Sequence, residues 1–99
     1  MNTQPFAIGQ TTKIAVTSSS QNVVIDSATK FPNQTARVVV TTGNVYLRFT
    51  SNATDTASVT TDMPVLSGTV ETFSKGDNCN IAIVADTTAT VWVTVGEGM

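Results

Sequence analysis

The chain has 99 residues, 40% of them hydrophobic and only 12% charged, with five Lys+Arg against seven Asp+Glu, no histidine and one cysteine. That length supports a single domain, and a formal charge of −2 beside valine-rich segments is not the low-hydrophobicity, high-charge signature of disorder. No run approaches the ~18–20 consecutive apolar residues of a membrane-spanning helix, and Lys13, Lys30, Arg37, Arg48 and Lys75 are too dispersed to neutralise a track of phosphates, so neither membrane nor nucleic acid is an expected partner.

The chain opens on Met1 to Thr12, a polar run carrying Pro5, Phe6 and Ile8, read as an amino-terminal arm that orders on assembly, with the domain proper over 13–99. The first residues, MNTQPFAIGQTTK, have neither a basic stretch nor an apolar one of the kind an export signal needs, which leads to the expectation of synthesis in the cytoplasm without export. From Lys13 onward, apolar and polar residues alternate with the period of two that marks half-buried strands. Ile14 and Val16 share one face, Gln21 to Asp26 follows after Ser18-Ser19-Ser20, and Ala36 to Thr41 carries Val38-Val39-Val40, a β-branched triplet suited to a strand covered on both sides.

Gly43-Asn44 then divides two strand-like runs and predicts a tight hairpin, with Val45, Leu47 and Phe49 on one face of the second arm and Tyr46 and Arg48 on the other. Ala57 to Thr60 is expected to form a short edge strand. Asp62-Met63-Pro64 marks a turn or an edge, because proline cannot donate within a central ladder. Gly68 separates Val65-Leu66 from Thr69 to Phe73, and Lys75-Gly76-Asp77-Asn78 supplies the next turn. Two strong strands close the chain: Asn80 to Ala85, and Ala89 to Val95 with Val91, Val93 and Val95 inward and Thr90, Trp92 and Thr94 outward. No segment shows the 3.6-residue period and caps of a helix of ordinary length. The expected fold is all-β: a single antiparallel two-sheet β-sandwich of about eight strands, with a jelly roll as one arrangement.

Chemistry is scarce. Without histidine, a serine or Cys79 nucleophile would depend on lysine or a carboxylate, and no spacing supports that, so the chain is read as a non-enzyme and Cys79 as a small inert side chain. Zinc would need ligands that the chain does not have. Asp55, Asp62, Asp77, Asn78, Asn80 and Asp86 offer hard oxygens in loops, but in no ordered ligand repeat, and are read as turn-formers; no cofactor or metal is expected. Tyr46 and Trp92 each lie opposite an aliphatic row and are the candidate contact residues, together with Pro5, Phe6 and Ile8 of the arm. Aromatic residues are enriched and charges depleted at interface cores, which favours a subunit contact over a glycan platform.

The succession Ala36-Arg37-Val38-Val39-Val40, Asn44 to Phe49, Thr61-Asp62-Met63-Pro64-Val65-Leu66-Ser67-Gly68-Thr69-Val70-Glu71-Thr72-Phe73 and Thr90 to Gly98 resembles small proteins encoded in tailed-bacteriophage and prophage structural gene clusters. The resemblance implies a virion component, a decoration or cement protein on the outside of the head shell. Its implied partner is the major capsid protein or another virion protein, and its implied state a homo-oligomer, with a trimer favoured. The other reading is a receptor-facing or glycan-binding module of a tail or head fibre.

Overall fold

The computed structural model describes residues 7–26 and 34–97. Eight strands are formed: β1 (Ala7–Thr17), β2 (Gln21–Val24), β3 (Thr35–Thr41), β4 (Val45–Thr50), β5 (Met63–Val65), β6 (Val70–Ser74), β7 (Asn80–Ala85) and β8 (Thr88–Glu97). They make two antiparallel four-stranded sheets, sheet A in the order β1-β8-β3-β6 and sheet B in the order β2-β7-β4-β5. The first half of the chain pairs with the second half throughout: β1 with β8, β2 with β7, β3 with β6, β4 with β5. The chain is thus one long ribbon doubled back at β4–β5 and rolled up, with β3–β8 and β4–β7 pairings closing the roll. This is jelly-roll topology.

The period-two pattern explains the core. Ile14 and Val16 of β1, Ala36, Val38 and Val40 of β3, and Val91, Val93 and Val95 of β8 point from sheet A toward Val45, Leu47, Ile81, Ile83 and Ala85 of sheet B. Each valine, leucine or isoleucine among them contributes roughly 1.5–3 kcal/mol on leaving water. Phe49 of β4 and Phe73 of β6 span the two sheets with ring centroids 5.7 Å apart and close the core beside them.

Several expectations are corrected. Gly43-Asn44 is not the turn of a hairpin: β3 lies in sheet A and β4 in sheet B, so the segment is a corner at which the ribbon changes sheets. Positive φ falls on Thr42, at 67°, rather than on Gly43. Gly43 is needed for another reason, because a Cβ there would stand 2.1 Å from the Thr88 carbonyl oxygen. Ala57 to Thr60 forms no strand; the edge strand of that region is β5, and Pro64 sits in it, where its missing N–H costs no ladder bond. Val39 is only half-buried, so β3 is covered on one face, and the strand buried on both is β7. The expected arm does not end at Thr12: β1 starts at Ala7, and the pairings Thr11 to Thr94 and Thr12 to Val93 make residues 7–12 part of the sandwich. An extra residue bulges β1 between Ile8 and Thr11.

Gly43→Ala is expected to destabilise the fold by roughly 3 kcal/mol or more, because backbone must move to admit the methyl group. Gly76→Ala, at φ +62° in open space, should cost only about 1 kcal/mol. Urea denaturation of the two variants measures the difference, and equal losses would refute the close-approach account.

Candidate interaction surface

The two outer faces of the sandwich differ in kind. Over sheet B lies the chain's own segment 51–62, between β4 and β5, held by side chains that point out of the sheet. Arg48 donates to the Thr56 carbonyl at 2.9 Å and approaches Asp62 at 3.7 Å. Asn22 donates to the carbonyls of Asn52 and Asp55, both at 3.0 Å, and in turn accepts from Asn80 at 2.9 Å. Thr50 donates to the Asp55 carboxylate, and the Ala57 N–H donates to Ser20 at 2.7 Å. On β7 the inward Ile81, Ile83 and Ala85 are buried against sheet A, and the outward Ala82, between the lid-binding Asn22 and Arg48, is buried on the other side.

Sheet A carries no such lid among the described residues. Its registers align the outward side chains in rows, two of them across all four strands: Lys13, Trp92, Val39 and Val70 in one, Thr11, Thr94, Arg37 and Thr72 in the next, and Ala15, Thr90 and Thr41 of three strands beyond. Within these rows the Lys13 ammonium stands 5.5 Å from the Trp92 ring centroid, a cation–π contact, and the Thr11 and Thr94 hydroxyls meet at 2.9 Å. Arg37 reaches the Thr72 hydroxyl at 3.5 Å. The face is broad and made of threonine, valine and one tryptophan. Lys13 and Arg37 are its only charged members among the described residues, and both are cationic although the chain as a whole is acidic.

The candidate contact residues are therefore dispersed. Trp92 belongs to the open face of sheet A and Tyr46 to the outer face of sheet B, so the two rings stand on opposite sides of the sandwich and form no common platform. Ile8 is placed in β1 opposite Gly96, and Pro5 and Phe6 lie outside the described residues. The six loop oxygens considered for a cation are also apart, each with a local partner. Asp55 accepts from Thr50, Asp62 from the Ser58 N–H at 2.7 Å, and Asp77 from Gln34 at 2.6 Å. Asn78 donates to the Lys75 carbonyl at 3.0 Å, Asn80 is bonded to Asn22, and Asp86 places its carboxylate beside the Tyr46 phenol. Among the described residues no three of His, Cys, Asp and Glu converge, and no pocket of ligand-binding size opens. Cys79 sits just before β7, its Sγ 3.6 Å from the Asp77 carbonyl oxygen.

One feature had no signal in the sequence. Lys75, written into a polar turn, is buried with its ammonium 3.0 Å from the equally buried Asp26 carboxylate. The ammonium also donates to the carbonyls of Asn78 at 2.8 Å and Gly76 at 3.3 Å. The pair ties the end of β2 to the β6–β7 turn, where Ile25 and Asp26 also donate main-chain bonds to Cys79. Nothing in local composition marks such a pair, since its partners meet only once the ribbon is rolled.

No family model matches the chain, and no curated protein matches it. Among solved structures, a chain described with the Bacillus endospore appendages, "a novel family of disulfide-linked pili", aligns over 99% of this chain and 96% of its own, at 16% identity and a TM-score of 0.45. Similarity at that level assigns neither a family nor a function.

Two measurements check this geometry. Lys75→Met should cost roughly 3–5 kcal/mol by removing the cation that faces the buried Asp26 carboxylate, and adding Asp26→Leu should recover a large part of that loss. A smaller loss in the single variant than in the double would show the pair to be dispensable. Tyr46 is the one tyrosine, and the Asp86 carboxylate beside it, with partial burial and the hydrogen bond to Asp86, raises its phenol above the ordinary 10.0. Because the folded-state value is raised, the associated stabilisation is present in full below pH 10.0 and is lost as pH climbs through the folded value. Absorbance titration of the phenolate should place its midpoint above that of free tyrosine, and Asp86→Asn should bring it down.

Proposed function

We propose that this protein is a non-enzymatic structural component of a large assembly and, in its specific form, a decoration or cement protein on the outer head shell of a tailed phage. The observation that carries the reading is the contrast between the two outer faces. Segment 51–62 covers one of them, whereas on the other the Lys13-Trp92-Val39-Val70 and Thr11-Thr94-Arg37-Thr72 rows form a broad, weakly charged sheet surface that no described segment covers. Such a surface contributes neutral contacts that depend little on salt. Repeated over a symmetric lattice, many weak contacts of this kind add to a large total.

The resemblance to phage structural proteins supplies the specific partner, the major capsid protein. Two cations on the open face favour a docking surface with acidic or carbonyl character. In this reading the protein is made in the host cytoplasm and resides on the head exterior. Residues 1–6 with Pro5 and Phe6 remain the candidate arm, shortened by the six residues that β1 incorporates.

The first test is the copy number of the protein in purified particles, by quantitative mass spectrometry against the major shell protein. A fixed proportion to the shell protein supports a lattice-wide role, and absence from particles refutes it. On heads stripped of the protein, Trp92→Ala should weaken rebinding about tenfold or more, as loss of a central aromatic contact does, while Tyr46→Ala on the opposite face leaves it unchanged. Equal effects would refute the assignment of the docking face.

A further inference from the structure

A two-sheet sandwich has four strand edges, and exposed edges are templates for unwanted pairing unless they are blunted. Three of the four are blunted here. β1 carries a bulge between Ile8 and Thr11 and a lysine at 13, and its Ala15 carbonyl is taken by the Gln21 side chain at 2.7 Å. β2 is only four residues long, and β5 is three residues with Pro64 at its centre. The fourth edge, β6, has none of these devices. Its sequence Val70-Glu71-Thr72-Phe73-Ser74 contains no lysine, proline or bulge, and it ends sheet A with all but Phe73 exposed.

The direction of its main-chain groups follows from the ladder. Lys75 donates to the Gln34 carbonyl and Val40 donates to the Thr69 carbonyl, so Thr69, Glu71, Phe73 and Lys75 turn their main-chain groups toward β3. Val70, Thr72 and Ser74 therefore present theirs to the open edge. The exposed apolar side chains Val70, at 59%, and Leu66, also at 59%, flank this edge at the corner that leads into it.

We infer that β6 is a self-pairing edge, and that two copies of this chain join antiparallel through it about a two-fold axis at Thr72. The sequence of the edge is self-complementary in that register. Val70 faces Ser74 of the second copy and Thr72 faces Thr72, so all the outward main-chain groups of both strands are matched as hydrogen-bonded pairs. Glu71 falls opposite Phe73 rather than opposite another Glu71, which avoids a like-charge pair directly across the contact. Centring the axis on Glu71 would set that carboxylate opposite itself, and centring it on Phe73 would leave Val70 opposite Gly76, beyond the end of the strand.

The product is one continuous sheet from two copies of sheet A, with both open faces on the same side, a doubling of the surface carrying Lys13, Trp92 and Val39. This isologous contact closes at two copies; the trimer implied by the resemblance would require β6 to meet a different edge of the next copy. The contact is a single short strand pair and belongs to the small, weak class of interfaces, so it forms at high concentration and reverses on dilution. The inference does not depend on which assembly the protein serves.

Sedimentation velocity of the full chain, from about 1 μM to about 1 mM, should show a reversible monomer–dimer equilibrium, the range being set by the weakness of small interfaces. Thr72→Pro removes an N–H that points away from β3, so far-UV circular dichroism should be retained while the dissociation constant rises on the order of 30-fold or more. Should that variant fail to fold, Val70→Lys places a charge on the same edge, with the same loss of dimer expected. In a Cys79→Ser background, Thr72→Cys should form an intermolecular disulfide on mild oxidation, because the axis sets the two residues face to face. A chain that is monomeric at the highest concentration, a trimer, or a dimer that neither edge variant weakens and Thr72→Cys does not cross-link, would overturn the inference.

Discussion

The fold rests on the burial of one aliphatic face of each sheet against that of the other, and neither sheet can be made from a contiguous piece of chain. Every connection except β4 to β5 crosses between sheets, so the valines of β3 and β8 and the isoleucines of β7 lose water together or not at all. Long-range pairing of this kind must meet its loop-closure cost before burial returns anything, which makes the ribbon's doubling back a cooperative event. Small β-branched residues suit the constraint. They hold few rotamers, pack on a pleated surface, and leave a thin core that β-sheet neighbours can fill.

Polar interactions then act as fasteners at places where the aliphatic rows end. The Lys75–Asp26 pair and the carbonyls around it join the end of β2 to the β6–β7 turn, while Asn22, Arg48 and Thr50 bind segment 51–62 onto sheet B and Asn80 holds Asn22 in place. A buried ion pair adds little net stability compared with an apolar replacement, but it admits few alternative arrangements of the segments it joins. The lid over sheet B has a larger consequence. It commits that face to intramolecular contacts, whereas among the described residues nothing lies over the rows around Trp92. Charge scarcity fits the same picture, because few ionic groups have to be desolvated when such surfaces meet.

What the sequence determined by itself is most of the strands and, along them, which side chains face inward. Period-two alternation alone placed Ile14 and Val16, Val45 and Leu47, and Val91, Val93 and Val95 inward, and Arg48 and Trp92 outward, because side-chain direction along a strand is a local property. Pro64 likewise announced a turn or an edge through its missing donor, and the structure makes it an edge. Partnership was not legible. Gly43-Asn44 has the residues of a hairpin turn, yet the chain there changes sheets, since turn composition states that the chain bends and not which strand it bends toward. Whether an outward residue remains exposed was decided only by tertiary structure: Tyr46 and Trp92 read alike in sequence, but segment 51–62 lies over the sheet of one and nothing described lies over the other. The Lys75–Asp26 pair and the close approach of Gly43 to Thr88 are of the same kind, contacts between residues distant in the chain that exist only after the roll has closed. Local stereochemistry sets direction along each strand, whereas the matching of whole faces sets what each direction meets.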